Sequence, residues 1–232
     1  MNIIDLIKGK DKIMKIYNRA LLKKNLDLAK LLIPLINDPR TTYDFVIFYN
    51  DGIYEKSWES IILKSPQYAY LWAKDILKTR WKEAEPIISR DPWYSYVYAK
   101  DVLKDRFLLG EKTILTDPHV AYSYAYNVIK DRWKEAEPII ASHLQSAFYY
   151  ARQVLNDRFI EGEEAIAQDV DNAFFYARDI LKSRFKKAEE KIIQNKKILK
   201  EYLVILKRFK LLKEFLKDYP TLDISNYINE RE

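Results

Sequence analysis

SPQYAYLWAKDILKTRWKEAEPIISR, residues 65–90, is a phrase this chain writes five times. Copies begin at Ser65, Asp91, Asp117, His143 and Asp169, following one another at a constant 26-residue period with no insertion. Repetition at a fixed period of this size marks a stacked-repeat protein, in which each unit buries its apolar face only against its neighbours. The expected fold class is therefore all-α: an α-solenoid of stacked two-helix repeats with a 26-residue period, closed by helical N- and C-terminal caps.

Within a repeat, Ser65-Pro66, Asp91-Pro92 and Asp117-Pro118 each place an N-cap acceptor before a proline suited to the first helical turn. The spacing predicts a first helix of about 12 residues, ending at Lys78 and its equivalents. Thr79, Asp105, Asp131, Asp157 and Ser183 then supply a turn, and a shorter second helix covers roughly Lys82–Arg90, with Pro86 and Pro138 near its first turn. One column is always alanine (Ala73, Ala99, Ala125, Ala151, Ala177), and two aromatic columns lie beside it: Tyr70, Tyr96, Tyr122, Phe148, Phe174 and Trp72, Tyr98, Tyr124, Tyr150, Tyr176. Small residues let helix axes approach while aromatics fill the space around them. The small column Ala84, Gly110, Ala136, Gly162, Ala188 does the same in the second helix. Repeats one and three share RWKEAEPII verbatim, whereas two and four share RF…GE, which points to duplication of a 52-residue pair.

Outward from the repeats the pattern decays. Residues 38–64 are a degenerate copy: Asp38-Pro39 opens it, Tyr43, Phe45 and Phe48 give its aromatic face, and Trp58 with Ile61-Ile62 closes it. Residues 1–37 form the N-terminal helical cap, with Ile13, Ile16, Ala20, Leu21, Leu28, Leu31, Leu32 and Leu35 at three- and four-residue spacings. Residues 195–232 form a basic C-terminal helix and tail. There Ile198, Tyr202, Ile205, Phe209, Leu212 and Leu216 make a heptad stripe over 198–216, read either as a cap on repeat five or as a homodimerising coiled coil.

The charge follows the same division. Residues 65–194 carry 20 Lys+Arg against 20 Asp+Glu, so the net +6 of the 232-residue chain resides on its ends, mostly in 195–217. A neutral array is not the footprint of a non-specific nucleic-acid binder. There is no cysteine, hence no disulfide framework or thiolate metal site, and no run approaches 18 apolar residues. With no signal-peptide-like core near Met1, a soluble, cytoplasmic protein without membrane partners is expected.

Catalytic signals are few. The two histidines, His119 and His143, occupy different columns of the repeat, and no HExxH, nucleophile elbow, GxGxxG or Walker loop is present. No enzyme activity, catalytic residue, metal or cofactor is expected. The most regular polar feature is Arg80, Arg106, Arg132, Arg158 and Arg184, each followed by a glutamate at one fixed spacing: Glu85, Glu111, Glu137, Glu163 and Glu189. Strict pairing of opposite charges favours a structural ladder over a phosphate-binding one. The partner-binding candidates lie in two further columns. Lys74, Lys100, Tyr126, Arg152 and Arg178 form the first, and Lys78, Lys104, Lys130 and Lys182, with Asn156, follow one turn later. Together they predict a basic, tyrosine-studded ridge able to track an acidic protein or a single-stranded backbone.

At AYLWAKDILKTRWKEAEPII and VYAKDVLKDRFLLGEKTIL the chain resembles the 26-residue helical repeats of the form YAYxYAKxVIKGRWPEAEPxI found in open reading frames of bacteriophages and giant viruses. The resemblance covers residues 65–194. Departures are Thr79, Asp105, Asp131, Asp157 and Ser183 where the family often has glycine, and Lys82, Leu108, Lys134, Ile160 and Lys186 where it often has proline. The resemblance implies a viral source and a helical stack. It carries over no catalytic residue, because the family has no general biochemical activity. The resulting expectation is a non-enzymatic protein–protein interaction module, virus-encoded and binding a host or viral protein in the host cytoplasm as inhibitor or adaptor. The alternative expectation is a single-stranded nucleic-acid binder using the ridge and the basic C-terminal helix.

Overall fold

Burying a helix face against the next repeat requires each 26-residue phrase to turn back on itself twice. The computed structural model, which describes residues 3–225 and 227, shows how it does so. The described residues are helical, with no strand, and consecutive helix pairs pack side by side as in an all-α solenoid. They form two compact units, Met1–Ile114 and Leu115–Glu232, divided between repeats two and three. No helix among the described residues is long and apolar enough to cross a membrane.

The first helices of repeats one to three start at the caps the sequence places, and those of repeats four and five start at the corresponding His143 and Asp169. Ser65, Asp91, Asp117, His143 and Asp169 are extended, and each side chain accepts a backbone N–H from the first turn. The helix then departs from the regular form expected of it. It begins as α-helix (Pro66–Leu71 in repeat one) and ends as a π turn: Trp72–Leu77, Ala99–Leu103, Ala125–Ile129, Tyr150–Leu155 and Tyr176–Leu181. The widened turn lets the column alanine's carbonyl receive two N–H groups. Ala73 O accepts from Lys78 N and from Thr79 N at 3.2 Å, and Ala151 O does the same for Asn156 and Asp157. Reversal of the chain then falls on one left-handed residue, Lys78, Lys104, Lys130, Asn156 or Lys182, at φ between 48° and 59°. The turn is thus centred one residue before the Thr/Asp/Ser column that the sequence singles out.

The second helix is a 3₁₀ turn followed by a short α-helix, as in Lys82–Ala84 and Glu85–Ile88, with Pro86 in its first turn. The column alanines at 73, 99, 125, 151 and 177 have no solvent exposure. Gly110 and Gly162 are there for space: a Cβ on either would lie 2.5 Å from the ring of Phe107 or Phe159.

What joins one repeat to the next is a buried carboxylate. Arg132 Nε and Nη2 donate to Glu137 at 2.6 and 2.8 Å, and the equivalent pairs at Arg80, Arg106, Arg158 and Arg184 are likewise bidentate within their own repeat. The following repeat then inserts a tyrosine. Tyr150 OH accepts the backbone N–H of Trp133 at 2.8 Å and donates to Glu137 at 3.3 Å. Tyr98 does this to Trp81 and Glu85 in the first unit. In the second unit Tyr176 accepts from the N–H of Phe159, and Tyr202 accepts from Phe185 and donates to Glu189. These contacts account for the Arg–Glu ladder as structural and give the second aromatic column a polar purpose.

The ends depart from expectation in three places. Residues 3–36 form two helices, Ile3–Leu22 and Leu26–Ile36, but the second buries Ala29, Ile33 and Ile36 and leaves Leu28, Leu31 and Leu35 exposed. Nearly every position of LDLAKLLIPLI is apolar, so spacing alone could not select the buried face. In the degenerate copy Phe45 and Trp58 are buried while Phe48 is 70 % exposed. At the C-terminus the heptad stripe is not one helix. The chain breaks at Phe209–Leu211, with Lys210 at φ 62°, into Lys196–Arg208 and Leu212–Asp218. Asn195, one repeat period after Asp169, caps the first of these, and Tyr202 occupies the tyrosine position, so the tail folds as one more two-helix unit. Ile198, Tyr202, Ile205 and Phe215 are buried within this unit, and Arg184, only 8 % exposed, ties its second helix down through Glu214 at 3.0 Å and Asp218 at 2.7 Å.

Burial pushes the hydroxyls of Tyr98, Tyr150 and Tyr176 up to about 12. A raised value means the folded state holds the neutral hydroxyl. Its stabilisation is complete below the ordinary tyrosine value near 10 and is lost as pH rises from there toward 12. Alkaline titration followed by circular dichroism should therefore show helix loss beginning above about pH 10. Tyr150→Phe orphans the buried Trp133 N–H and should cost about 1–3 kcal/mol in denaturant unfolding.

Candidate partner-binding ridge

The two candidate columns grow from the π turn. Lys74, Lys100, Tyr126, Arg152 and Arg178 lie inside it, one residue past the buried alanine; Lys78, Lys104, Lys130 and Lys182 are the left-handed residues that close it. All are solvent-exposed except Arg178, which is half-buried.

The inner column is committed to the fold. In the first unit Lys74 Nζ lies 3.5 Å from Asp101 of the next repeat and 5.5 Å above the ring of Tyr70, whose hydroxyl donates to the same Asp101 at 2.6 Å. Tyr43 OH donates likewise to Asp75 at 2.7 Å, one repeat earlier. Lys100 sits over the Tyr96 ring. In repeats four and five, within the second unit, phenylalanine replaces tyrosine and arginine replaces lysine. Arg152 lies over Phe148 and 3.9 Å from Asp179 of the next repeat, the counterpart of the Lys74–Asp101 contact. Arg178 forms a bidentate pair with Asp179 at 2.6 and 2.9 Å and rests on Phe174 and Phe175. That hydrogen bond raises the Arg178 guanidinium and holds the Asp179 carboxyl below the usual range. The acids flanking the ridge therefore belong to a cation–aromatic–carboxylate lattice between adjacent repeats.

The outer column is different. Among the described residues Lys78, Lys104, Lys130 and Lys182 form no ion pair. Each occupies a backbone conformation that glycine or asparagine adopts more cheaply, and Asn156 does occupy it in repeat four. Their position past the last helical carbonyls favours a cation electrostatically. In the first unit Lys74, Lys78 and Lys104 converge with Asp101 on a shallow hollow of about 260 Å³. In the second, Tyr126, Lys130, Gln153 and Val154 line a smaller one of about 150 Å³. Beside it Tyr122 stacks on Tyr126 and on Tyr149 at centroid distances of 6.2 and 6.1 Å. Asn127 and Gln153 stand here where other repeats carry Asp75, Asp101 and Asp179, so the inner acid is missing from repeats three and four.

No group of three or more His, Asp or Glu side chains among the described residues could hold a metal ion. Along the two columns the exposed side chains are cations, tyrosine faces and amides. No protein-family model, no curated protein and no solved structure matches this chain.

Lys104→Gly should raise stability by up to about 1 kcal/mol, because glycine meets no Cβ penalty in the left-handed region. Lys104→Val should lower it. Urea unfolding of both variants checks the assignment of this residue as the turn.

Proposed function

We propose that the chain is a non-enzymatic protein-binding module whose contact surface is built on the outer lysine column in each unit, and that its partner presents acidic side chains. The observation that carries this reading is the retention of exposed, unpaired lysine at a left-handed position in four of five repeats, where glycine would be cheaper and asparagine is demonstrably accepted. The inner column supports the ridge by locking adjacent repeats together and holding the turns in place. The resemblance to viral helical repeats favours a virus-encoded inhibitor or adaptor acting on a host or viral protein in the host cytoplasm.

A second reading has one observation in its favour. The stacked Tyr122, Tyr126 and Tyr149, beside Lys130 and Arg152, form the kind of aromatic and basic platform on which single-stranded nucleic acid lies. The basic tail, with a net +6 over residues 195–217, would extend it.

One experiment separates the two. Pull-downs from host lysate, with and without nuclease, are compared between wild type and a quadruple Lys78→Asn, Lys104→Asn, Lys130→Asn, Lys182→Asn variant. A protein captured stoichiometrically, resistant to nuclease and lost in the variant at unchanged helical content, is the expected result. Capture at unchanged strength removes the lysine column from the surface. Capture that vanishes on nuclease treatment and falls steeply between about 50 and 200 mM salt, as counterion release requires, supports the nucleic-acid reading instead.

A further inference from the structure

Four of the five repeats cap their first helix with serine or aspartate, and repeat four alone uses an imidazole, His143. The chain's other histidine lies against it. The His119 and His143 rings are 4.1 Å apart at their centroids, although the two residues occupy different positions in their repeats. Between them lies the fully buried Ser146, whose Oγ is 3.4 Å from His119 Nδ1 and 3.3 Å from His143 Nδ1. His143 Nδ1 also accepts the Ser146 backbone N–H at 3.5 Å, which is the cap itself.

A ring nitrogen accepts a hydrogen bond only while it carries no proton. Protonation of His143 turns Nδ1 into a donor and leaves the N–H of a buried residue without its acceptor. It also puts a positive charge at the positive end of a helix and against a second imidazole. We propose that the joint between repeats three and four is a proton-sensitive coupling, closed by neutral His143 and loosened when His143, packed against the His119 ring, takes up a proton.

The surroundings offer little compensation. The helix that His143 begins carries no charged residue before Arg152. From the first helix of repeat three it meets His119 and the carboxylate of Asp117, which is occupied in accepting the N–H groups of His119 and Val120. The nearest acid on the preceding helix, Glu137, is held by Arg132, and Asp169, the next repeat's cap, by the N–H of Asn172. Burial, then the neighbouring His119, lower the affinity of His143 for a proton, with Asp117 opposing them. A lowered value places the cap's stabilisation above the ordinary histidine value near 6.5, to be lost as pH falls below it.

The test uses full-length wild type, His143→Asp and His119→Ala, unfolded by urea at pH 7.5, 6.5 and 5.5, where the carboxylates stay ionised. His143→Asp restores the cap of repeats two, three and five and so keeps the fold. The unfolding constant of wild type should rise on acidification, that of His143→Asp should stay nearly flat, and His119→Ala should fall between. The protection factor of the Ser146 amide, corrected for the slower intrinsic exchange at acid pH, should fall in parallel in wild type and stay constant in His143→Asp. Equal acid sensitivity in wild type and His143→Asp, or an NMR titration placing His143 at or above 6.5, would overturn the proposal.

Discussion

A carboxylate taken out of water must be met by donors that replace its hydration, or it will not stay buried. Glu85, Glu137, Glu163 and Glu189 are all buried, and each is met from its own repeat by an arginine fork. The tyrosine that completes the site at Glu85, Glu137 and Glu189 comes from the next repeat and simultaneously receives a backbone N–H of the loop before the second helix. The repeat period follows from this arrangement. Within each unit, a tyrosine midway along the chain between successive glutamates sets the register of these junctions, and an insertion would pull hydroxyl from carboxylate.

The ends show what happens when that constraint is relaxed. At the first full repeat the tyrosine position holds Trp72, which packs edge-on to Tyr54 at 4.9 Å, with its indole N–H unpartnered among the described residues. Tyr54 takes the arginine's place and donates to Glu59. The fork is thus reduced to one hydrogen bond within residues 38–64, and the junction to repeat one is made by Tyr54–Trp72 packing and the Tyr43–Asp75 hydrogen bond. At the other end Tyr202 restores the latch in a segment whose sequence looks like a leucine-rich helix. Arg184, buried there, gathers Glu189, Glu214 and Asp218, so the final helix pair is fastened more strongly than the first.

The same economy separates the two basic columns. A cation inside the π turn has an aromatic beneath it and an aspartate of the next repeat beside it, and it is drawn into the junction. A cation at the close of that turn is solvent-exposed and forms no ion pair among the described residues. The inner column is scaffold and the outer one is surface, and charge reversal in the inner column would test the fold as much as any binding. That distinction is invisible in a sequence where both columns read as lysine or arginine one helical turn apart.

The sequence by itself determined the helical repeat, its period, the first-helix caps and the burial of the alanine columns, because these depend on local signals and on periodicity. It also made the Arg–Glu ladder legible as structure, since matched charges at constant spacing need each other. Tertiary structure alone decided three further things. The tyrosine hydroxyls find partners 13 and 17 residues away, a separation no helical period contains. The turn falls on lysine rather than on the small polar residue after it, because an extra residue in the π turn shifts the reversal by one. His119 and His143 meet although they stand in different columns, because stacking offsets one repeat's helix start against the next. Columns report what recurs at the repeat period, whereas these contacts join different positions of neighbouring repeats, and only packing brings those together.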